Sequence, residues 1–248
     1  MNTVNRYCTV IPVFNNPKTI AEVTGRVLMQ CPDVFVVDDG SDGPVSDILS
    51  AAGLDVRVIR HRTNRGKGAA LRTGFNAAKE AGYTHVITID ADGQHFPEDM
   101  PRLTEASDAA PESVIVGCRS LTADNMPRGN TRANRFSNFW FRLYTGQNLE
   151  DTQSGYRVYP LSGLHGLRLL TSRYEAELEL MVFAAWHGVR LQGVPVRVFY
   201  APEGERVSHF RPFRDFMRIT VLNTVLAVGA LSYGLPSAML RGFKRNKD

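Results

Sequence analysis

Between Tyr7 and Asp92, short apolar β-rich runs alternate with longer helical patterns, and no other feature of the chain restricts its fold as much. The order is Tyr7–Val13, a helix from Pro17, Val34–Asp38, a helix from Pro44, Val56–Arg60, a helix from Lys67, then Val86–Asp90. Such alternation implies an α/β fold with a mostly parallel, doubly wound sheet. The runs Phe35–Val37 and Val86–Ile89 are continuously apolar, as strands covered by helices on both faces must be. Each ends in acids, Asp38-Asp39 and Asp90-x-Asp92, at the carboxyl end of a strand, where open α/β sheets bind ligands. A helix over Phe96–Ala109 and a strand at Val114–Gly117 continue the pattern. Between Arg119 and Tyr200 we expect a helix, a short strand, a helix at Glu175–His187 and a strand at Val194–Tyr200.

At 248 residues and 43% hydrophobic, the chain can bury one sizeable core. Cys8, Cys31 and Cys118 are widely spaced and form no CxxC pair, so neither a disulfide framework nor a zinc site is expected. The polar start Met1–Arg6 runs straight into a short apolar segment without a long apolar leader, which points to the cytoplasm. A net charge of +4 is too mild to imply nucleic acid, but it suits an anionic ligand or an anionic membrane. The C-terminal part differs in character. Ile219–Leu240 carries no charge and, at helical rise, would reach roughly 33 Å, about a bilayer core. Thr220, Asn223, Ser232 and Pro236 dilute it, and Arg214, Arg218, Arg241 and Lys244 flank it. Both an in-plane helix and a true span are open, with membrane contact expected either way. The expected division is a catalytic domain at 1–205 and a membrane-associating helical segment at 206–248.

Asp90-Ala-Asp92-Gly-Gln94-His95 follows an apolar strand. Carboxylates at i and i+2 on a turning chain can share a divalent cation that bridges two phosphates, and oxygen ligands select Mg²⁺ or Mn²⁺. The alternative is a solvated acidic turn. Asp38-Asp39-Gly40-Ser41-Asp42 offers acceptors for a nucleoside at the end of the second strand, or ordinary loop chemistry. Asn64-Arg-Gly66-Lys67-Gly68 brings glycines and a cation to a helix start, suited to phosphate or to close packing, and lacks the Walker spacing.

Val10-Ile-Pro12-Val-Phe-Asn15, Val37-Asp-Asp39-Gly-Ser, Asn64-x-Gly-Lys67-Gly, Asp90-x-Asp92-x-Gln94-His and Asp151-x-x-Ser154-Gly155-Tyr156-Arg157 occur in this order. Together they resemble family 2 glycosyltransferases, especially the polyprenyl- and dolichyl-phosphate mannose or glucose synthases, over about residues 6–200. The resemblance implies a GT-A fold and an inverting transfer from a UDP- or GDP-linked sugar. It places Pro12 and Asn15 along the nucleotide base, Asp39 on base or ribose, and Lys67 beside the donor. Asp90 would lie by the ribose and metal, with Asp92 and Gln94 as direct ligands.

Arg119, Arg128, Arg132, Arg135 and Arg142 span a segment whose one acid is Asp124. Arginine's planar fork suits phosphate, and the resemblance sets Arg119 and Arg132 on donor and acceptor phosphates, with Ser137 nearby. A solvated or membrane-facing basic surface is the alternative. Asp151 is open between two chemical roles and a structural one, capping the turn before the strand Arg157–Tyr159. It is a base if the acceptor is a saccharide or glycolipid hydroxyl, or an orienting residue if the acceptor is a lipid phosphate, which is already anionic. Glu175 and Glu177 read as acids complementing a helix start. The expected function is metal-dependent hexosyl transfer to lipid phosphate at the cytoplasmic membrane face, peripheral or with one C-terminal span. Transfer to a hydroxyl, a nucleotidyltransferase and a noncatalytic nucleotide-sugar sensor are the competing readings.

Overall fold

The structure, a computed structural model, describes residues 4–119, 128–164, 169–200, 212–234 and 236–237, with the main chain alone at 128–133 and 212–220. The expected alternation is realised as β1 (Tyr7–Val13), α1 (Ile20–Leu28), β2 (Val34–Asp38), α2 (Val45–Ala51), β3 (Arg57–Arg60), α3 (Lys67–Glu80) and β4 (His85–Thr88). A 3-10 turn at Pro97–Asp99 leads into α4 (Met100–Ala109) and β5 (Val114–Arg119). Then come α5 (Arg128–Thr145), β6 (Arg157–Pro160), α6 (Glu175–Trp186), β7 (Leu191–Val196) and α7 (Pro212–Gly229), which ends in a π-turn at Ala230–Gly234.

The seven strands form one sheet in the order β3-β2-β1-β4-β6-β5-β7. β6 runs antiparallel to both neighbours, and every other pairing is parallel. Alternate residues of β1 serve opposite layers. Cys8 and Val10 pack with Ala70, Leu71 and Ala78 of α3, while Ile11 and Val13 pack with Ile20, Val23 and Val27 of α1. Fully buried side chains such as Ile11, Ile87 and Ile89 each contribute about 1.5–3 kcal/mol. Small residues let α3 come close to its neighbours: a Cβ on Gly74 would overlap the Val10 methyls of β1, and one on Gly68 would overlap Ala176 of α6.

The last strand departs from expectation. β7 begins at Leu191 and ends at Val196, and beyond it Val198 makes only an isolated bridge with His95. Pro195 is tolerated there because β7 is an edge strand, where a missing N–H need not break a ladder. A second cluster joins Val114, Val116 and Tyr159 of the sheet to Phe141 and Tyr144 of α5, Met181 and Trp186 of α6, and Leu222 and Leu226 of α7. The expected charge-free run Ile219–Leu240 is thus divided among α7, the π-turn, a short helical stretch at 236–237 and residues outside the described ones. No helix among the described residues is long and apolar enough to cross a membrane.

Candidate active site

β1 lies between β2 and β4, so the chain winds outward through β2 and β3 and then returns to the other side of β1. Ligands of open α/β sheets sit in the crevice that such a reversal opens. Pairing of β1 with β4 stops at Val10, whereas pairing with β2 continues to Val13, so buried Pro12 lies where the ladders have parted. Asn15 follows in the left-handed region (φ 49°), which Asn tolerates better than most residues. It is tied to the next loop: its N–H donates to Ser41 Oγ (3.0 Å), and its side chain exchanges hydrogen bonds with Asp42. Across the crevice, Asn16 Nδ2 and Thr19 Oγ1 donate to the Ala91 carbonyl at 3.0 and 2.5 Å, fixing the turn between Asp90 and Asp92.

Asp39 is nearly fully buried, and its carboxylate holds the following loop together. It accepts from Arg65 N (3.0 Å), Gly66 N (2.7 Å) and His61 Nδ1 (2.6 Å), while His61 Nε2 meets Thr73 Oγ1 at 2.9 Å. Asp38 accepts from Ser41 N and Val45 N and pairs with Arg60 at 3.4 Å, which shapes the turn into α2. Gly40 (φ 76°) sits so close to Thr63 that no side chain fits. Any nucleoside contact by Asp39 is therefore made by a carboxylate already anchored.

Lys67 opens α3 and carries a charge of the wrong sign for a helix N-terminus. Two carboxylates answer it. Lys67 Nζ lies 2.7 Å from Asp90 Oδ1 and 2.7 Å from Glu177 Oε2, and Arg157 reaches Glu177 at 3.6 Å. Arg157 Nη1 also donates to Tyr159 Oη and Nη2 to the Thr152 carbonyl. Burial pushes the Asp90 carboxyl up, but the Lys67 ammonium outweighs it and holds the group below the usual carboxylate range. In the sequence Glu177 is an acid in the first turn of α6, and no local signal marks this contact.

Gly155 of the Asp151–Arg157 motif completes this arrangement. A Cβ there would overlap the Asp90 carboxylate, and Thr88 Oγ1 donates to the Gly155 carbonyl at 2.8 Å. Its backbone is not in the left-handed region, so alanine meets only the steric conflict. Gly155→Ala is expected to lower kcat/KM for the donor about 100-fold by displacing Asp90, with a stability loss of about 1–3 kcal/mol. Initial rates and thermal melting check both.

Asp151 is fully buried and spent on Arg119. Arg119 donates through its backbone N (3.1 Å) and Nε (2.6 Å) to Oδ2 and through Nη2 (3.0 Å) to Oδ1, while Asn134 and Gln153 N add bonds to Oδ1. Burial would push this carboxyl up, but the hydrogen bonds and charge of Arg119 outweigh it and hold it low. These bonds occupy both carboxylate oxygens, and the one from Gln153 N caps the turn that follows. Thr152 Oγ1 donates to Ser137 Oγ at 2.7 Å. Arg128 and Arg132 lie on α5, but their side chains are outside the described residues.

Asp92 and Gln94 are half-buried at the mouth of the crevice. Gln94 N donates to Asp92 Oδ1 at 3.0 Å. Burial and then the charge of Asp90 push the Asp92 carboxyl up to about 6. Such a carboxyl gains from a cation. Among the described residues no group of three or more His, Cys, Asp or Glu could hold a metal ion by itself. The oxygen donors that this turn offers are the carboxylates of Asp90 and Asp92 and the amide of Gln94. That set suits a Mg²⁺ or Mn²⁺ whose shell is completed by phosphate and water rather than by an all-protein cage. Burial holds His95, next to this turn, neutral with its pKa lowered to about 4.

The profile of "Glycosyl transferase family 2" matches residues 8–165. The polyprenol monophosphomannose synthase of Mycolicibacterium smegmatis is 32% identical over 77% of this chain and 76% of its own. The undecaprenyl-phosphate mannosyltransferase of Micrococcus luteus is 32% identical over 81% of this chain and 86% of its own. The glucosyl-3-phosphoglycerate synthase of Mycobacterium tuberculosis, solved with Mg²⁺ and uridine diphosphate, superposes with a TM-score of 0.64 over 91% of this chain and 79% of its own, at 18% identity, and so shares the fold. With its ordered motifs gathered along the carboxyl edge of a mostly parallel sheet, the chain belongs to glycosyl transferase family 2.

Proposed function

We propose that the protein transfers a hexose, with inversion, from a UDP- or GDP-linked sugar to a lipid phosphate of the polyprenyl type at the cytoplasmic face of a membrane. The observation that carries the acceptor class is the Asp151–Arg119 pair, in which a fully buried acid accepts from both Nε and Nη2 of the guanidinium. A hydroxyl acceptor needs a base, whereas a phosphate monoester, with a second pKa of about 6, arrives as an anion and needs only a cation to orient it. The relatives named as polyprenol- and undecaprenyl-phosphate mannose transferases support the same class.

In this reading Pro12, Asn15 and Asp39 hold the nucleoside. Lys67 keeps Asp90 charged and in place beside the ribose. Asp92 and Gln94, with Asp90, would hold the Mg²⁺ or Mn²⁺, which when bound neutralises the departing nucleoside diphosphate as a Lewis acid. Arg119 and Arg132 take the phosphates. Residues 1–205 form the catalytic domain and residues 206–248 the membrane-associating segment, with α7 lying in the membrane plane.

A transfer assay with membranes, a panel of UDP- and GDP-sugars and Mn²⁺ tests the reading. A glycolipid that releases its sugar in mild acid is the expected product. An acid-stable glycolipid would instead assign a hydroxyl acceptor, and pyrophosphate release from a nucleoside triphosphate would assign nucleotidyl transfer. The Asp92 carboxyl adds a pH signature. Its carboxylate must be ionised to take a cation, so Mn²⁺ affinity is expected to hold above a pH of about 6 and to fall about tenfold per unit below it, as titration calorimetry can follow.

A further inference from the structure

Gln94 is tied at both ends of its main chain. Its N–H donates to Asp92 Oδ1 at 3.0 Å, and its carbonyl accepts from Phe199 N at 2.8 Å. The two bonds fix the direction in which the Gln94 side chain leaves the backbone. The second of them comes from a short stub of chain. β7 pairs with β5 as far as Val196, opposite Arg119, and residues 197–199 then lie against the turn that follows Asp92, where His95 and Val198 form an isolated antiparallel bridge. One bridge and one ladder bond have little stability of their own.

An ion pair at the root of the stub supplies what is missing. Asp99, only 1% exposed, accepts from Arg197 N (2.7 Å) and Nε (2.9 Å) and lies 2.8 Å from Arg197 Nη2. Asp99 stands at the N-cap of α4, where an Asp ordinarily bonds an amide of its own helix, yet its side chain caps none. Its bonds cross to Arg197 instead. The Arg197 guanidinium also lies 5.0 Å from the centre of the Phe96 ring, and Arg26, paired with Glu98 at 2.8 Å, lies 5.5 Å from the same ring.

We propose that Arg197 and Asp99 are positioning residues for the metal: their pair pins residues 197–199 against the turn, and Phe199 N in consequence holds Gln94 in place as a ligand. Both lie outside the ordered motifs of the chain. The inference rests on the reading of Gln94 as a metal ligand. Charge alone gives the two residues opposite effects, since removing the Arg197 cation favours a bound cation and removing the Asp99 anion disfavours one. Lost positioning weakens binding in both.

Isothermal titration calorimetry of the full chain with Mn²⁺ tests this on wild type, Arg197→Gln, Asp99→Asn, Arg197→Lys and Gln94→Ala, beside thermal melts. Mn²⁺ affinity is expected to fall about tenfold in both Arg197→Gln and Asp99→Asn, the scale of losing a partner behind a ligand. The Tm of Arg197→Gln should fall by only about 2–4 °C, because its side chain is 57% exposed. Arg197→Lys keeps the charge without the fork and should recover part of the affinity. In the Gln94→Ala background, Arg197→Gln should cost nothing further, because both act through one ligand. Unchanged or tighter Mn²⁺ binding by Arg197→Gln, with binding by Gln94→Ala weakened, would overturn the proposal and leave the ligand role of Gln94 standing. Wild-type Mn²⁺ affinity in Gln94→Ala would overturn that role, and the proposal with it.

Discussion

Replacing Asp92 with asparagine is expected to lower kcat/KM for the nucleotide sugar by about three orders of magnitude or more, the scale of losing a preorganised charge at a departing group. Asparagine keeps the size of the side chain, and its amide oxygen can still accept from Gln94 N, so the turn that displays the group survives. What disappears is the negative charge. In the free protein that charge is a burden, because burial and Asp90 push the Asp92 carboxyl from 3.8 up to about 6. A group whose folded pKa is raised stabilises the fold below its unfolded pKa and loses that contribution as pH rises through the folded value. Above a pH of about 6 the ionised Asp92 therefore disfavours the folded state, and the neutral variant should melt no lower than wild type without metal. Rates across a Mn²⁺ titration, together with metal-free melting curves, check both halves. Wild-type turnover in Asp92→Asn would remove Asp92 from the metal site.

Much of this site was legible because its signals are local. A parallel strand covered on both faces must be continuously apolar, and β2 and β4 announce themselves in that way, with their terminal acids marking the carboxyl edge. The start of α3 at Lys67 was equally readable from the glycines around it. Two kinds of information were not local. One is the partner of a charge. Glu177 looks like an acid at a helix start, and only the packing of α6 against α3 brings it to Lys67. Likewise nothing around Asp151 in the sequence announces its burial or its bonds to Arg119. The other is the direction in which a helix faces. The arginines of α5 drew notice in the sequence, whereas the exposure of Phe136 and Phe139 depends on which pole Phe141 and Tyr144 bury. The antiparallel course of β6 belongs here too, since Arg157–Pro160 is too short to carry a direction in its pattern.

Lys67→Met is expected to cost about 3 kcal/mol of stability and to lower Tm by about 6–12 °C. Methionine preserves most of the stem's volume, so the loss reports the charge. Without the ammonium, Glu177 keeps only Arg157 at 3.6 Å, and Asp90 loses its one ion pair among the described residues. Asp90 would then face burial and the neighbouring Asp92 with only the weaker pull of His95 and Arg157 to offset them, so it should take up a proton more readily and turnover should fall with stability. Two further measurements separate this account from a direct phosphate role for Lys67. Adding Glu177→Gln to Lys67→Met should restore part of the lost stability, since the double change removes one of the stranded carboxylates and neighbouring groups are not additive. Mn²⁺ with a nucleoside diphosphate should also raise Tm more in Lys67→Met than in wild type, because a cation held by Asp90 and Asp92 supplies the missing positive charge. A Tm within about 2 °C of wild type, accompanied by lost nucleotide binding, would sink the ion-pair account and assign Lys67 to the donor's phosphates instead.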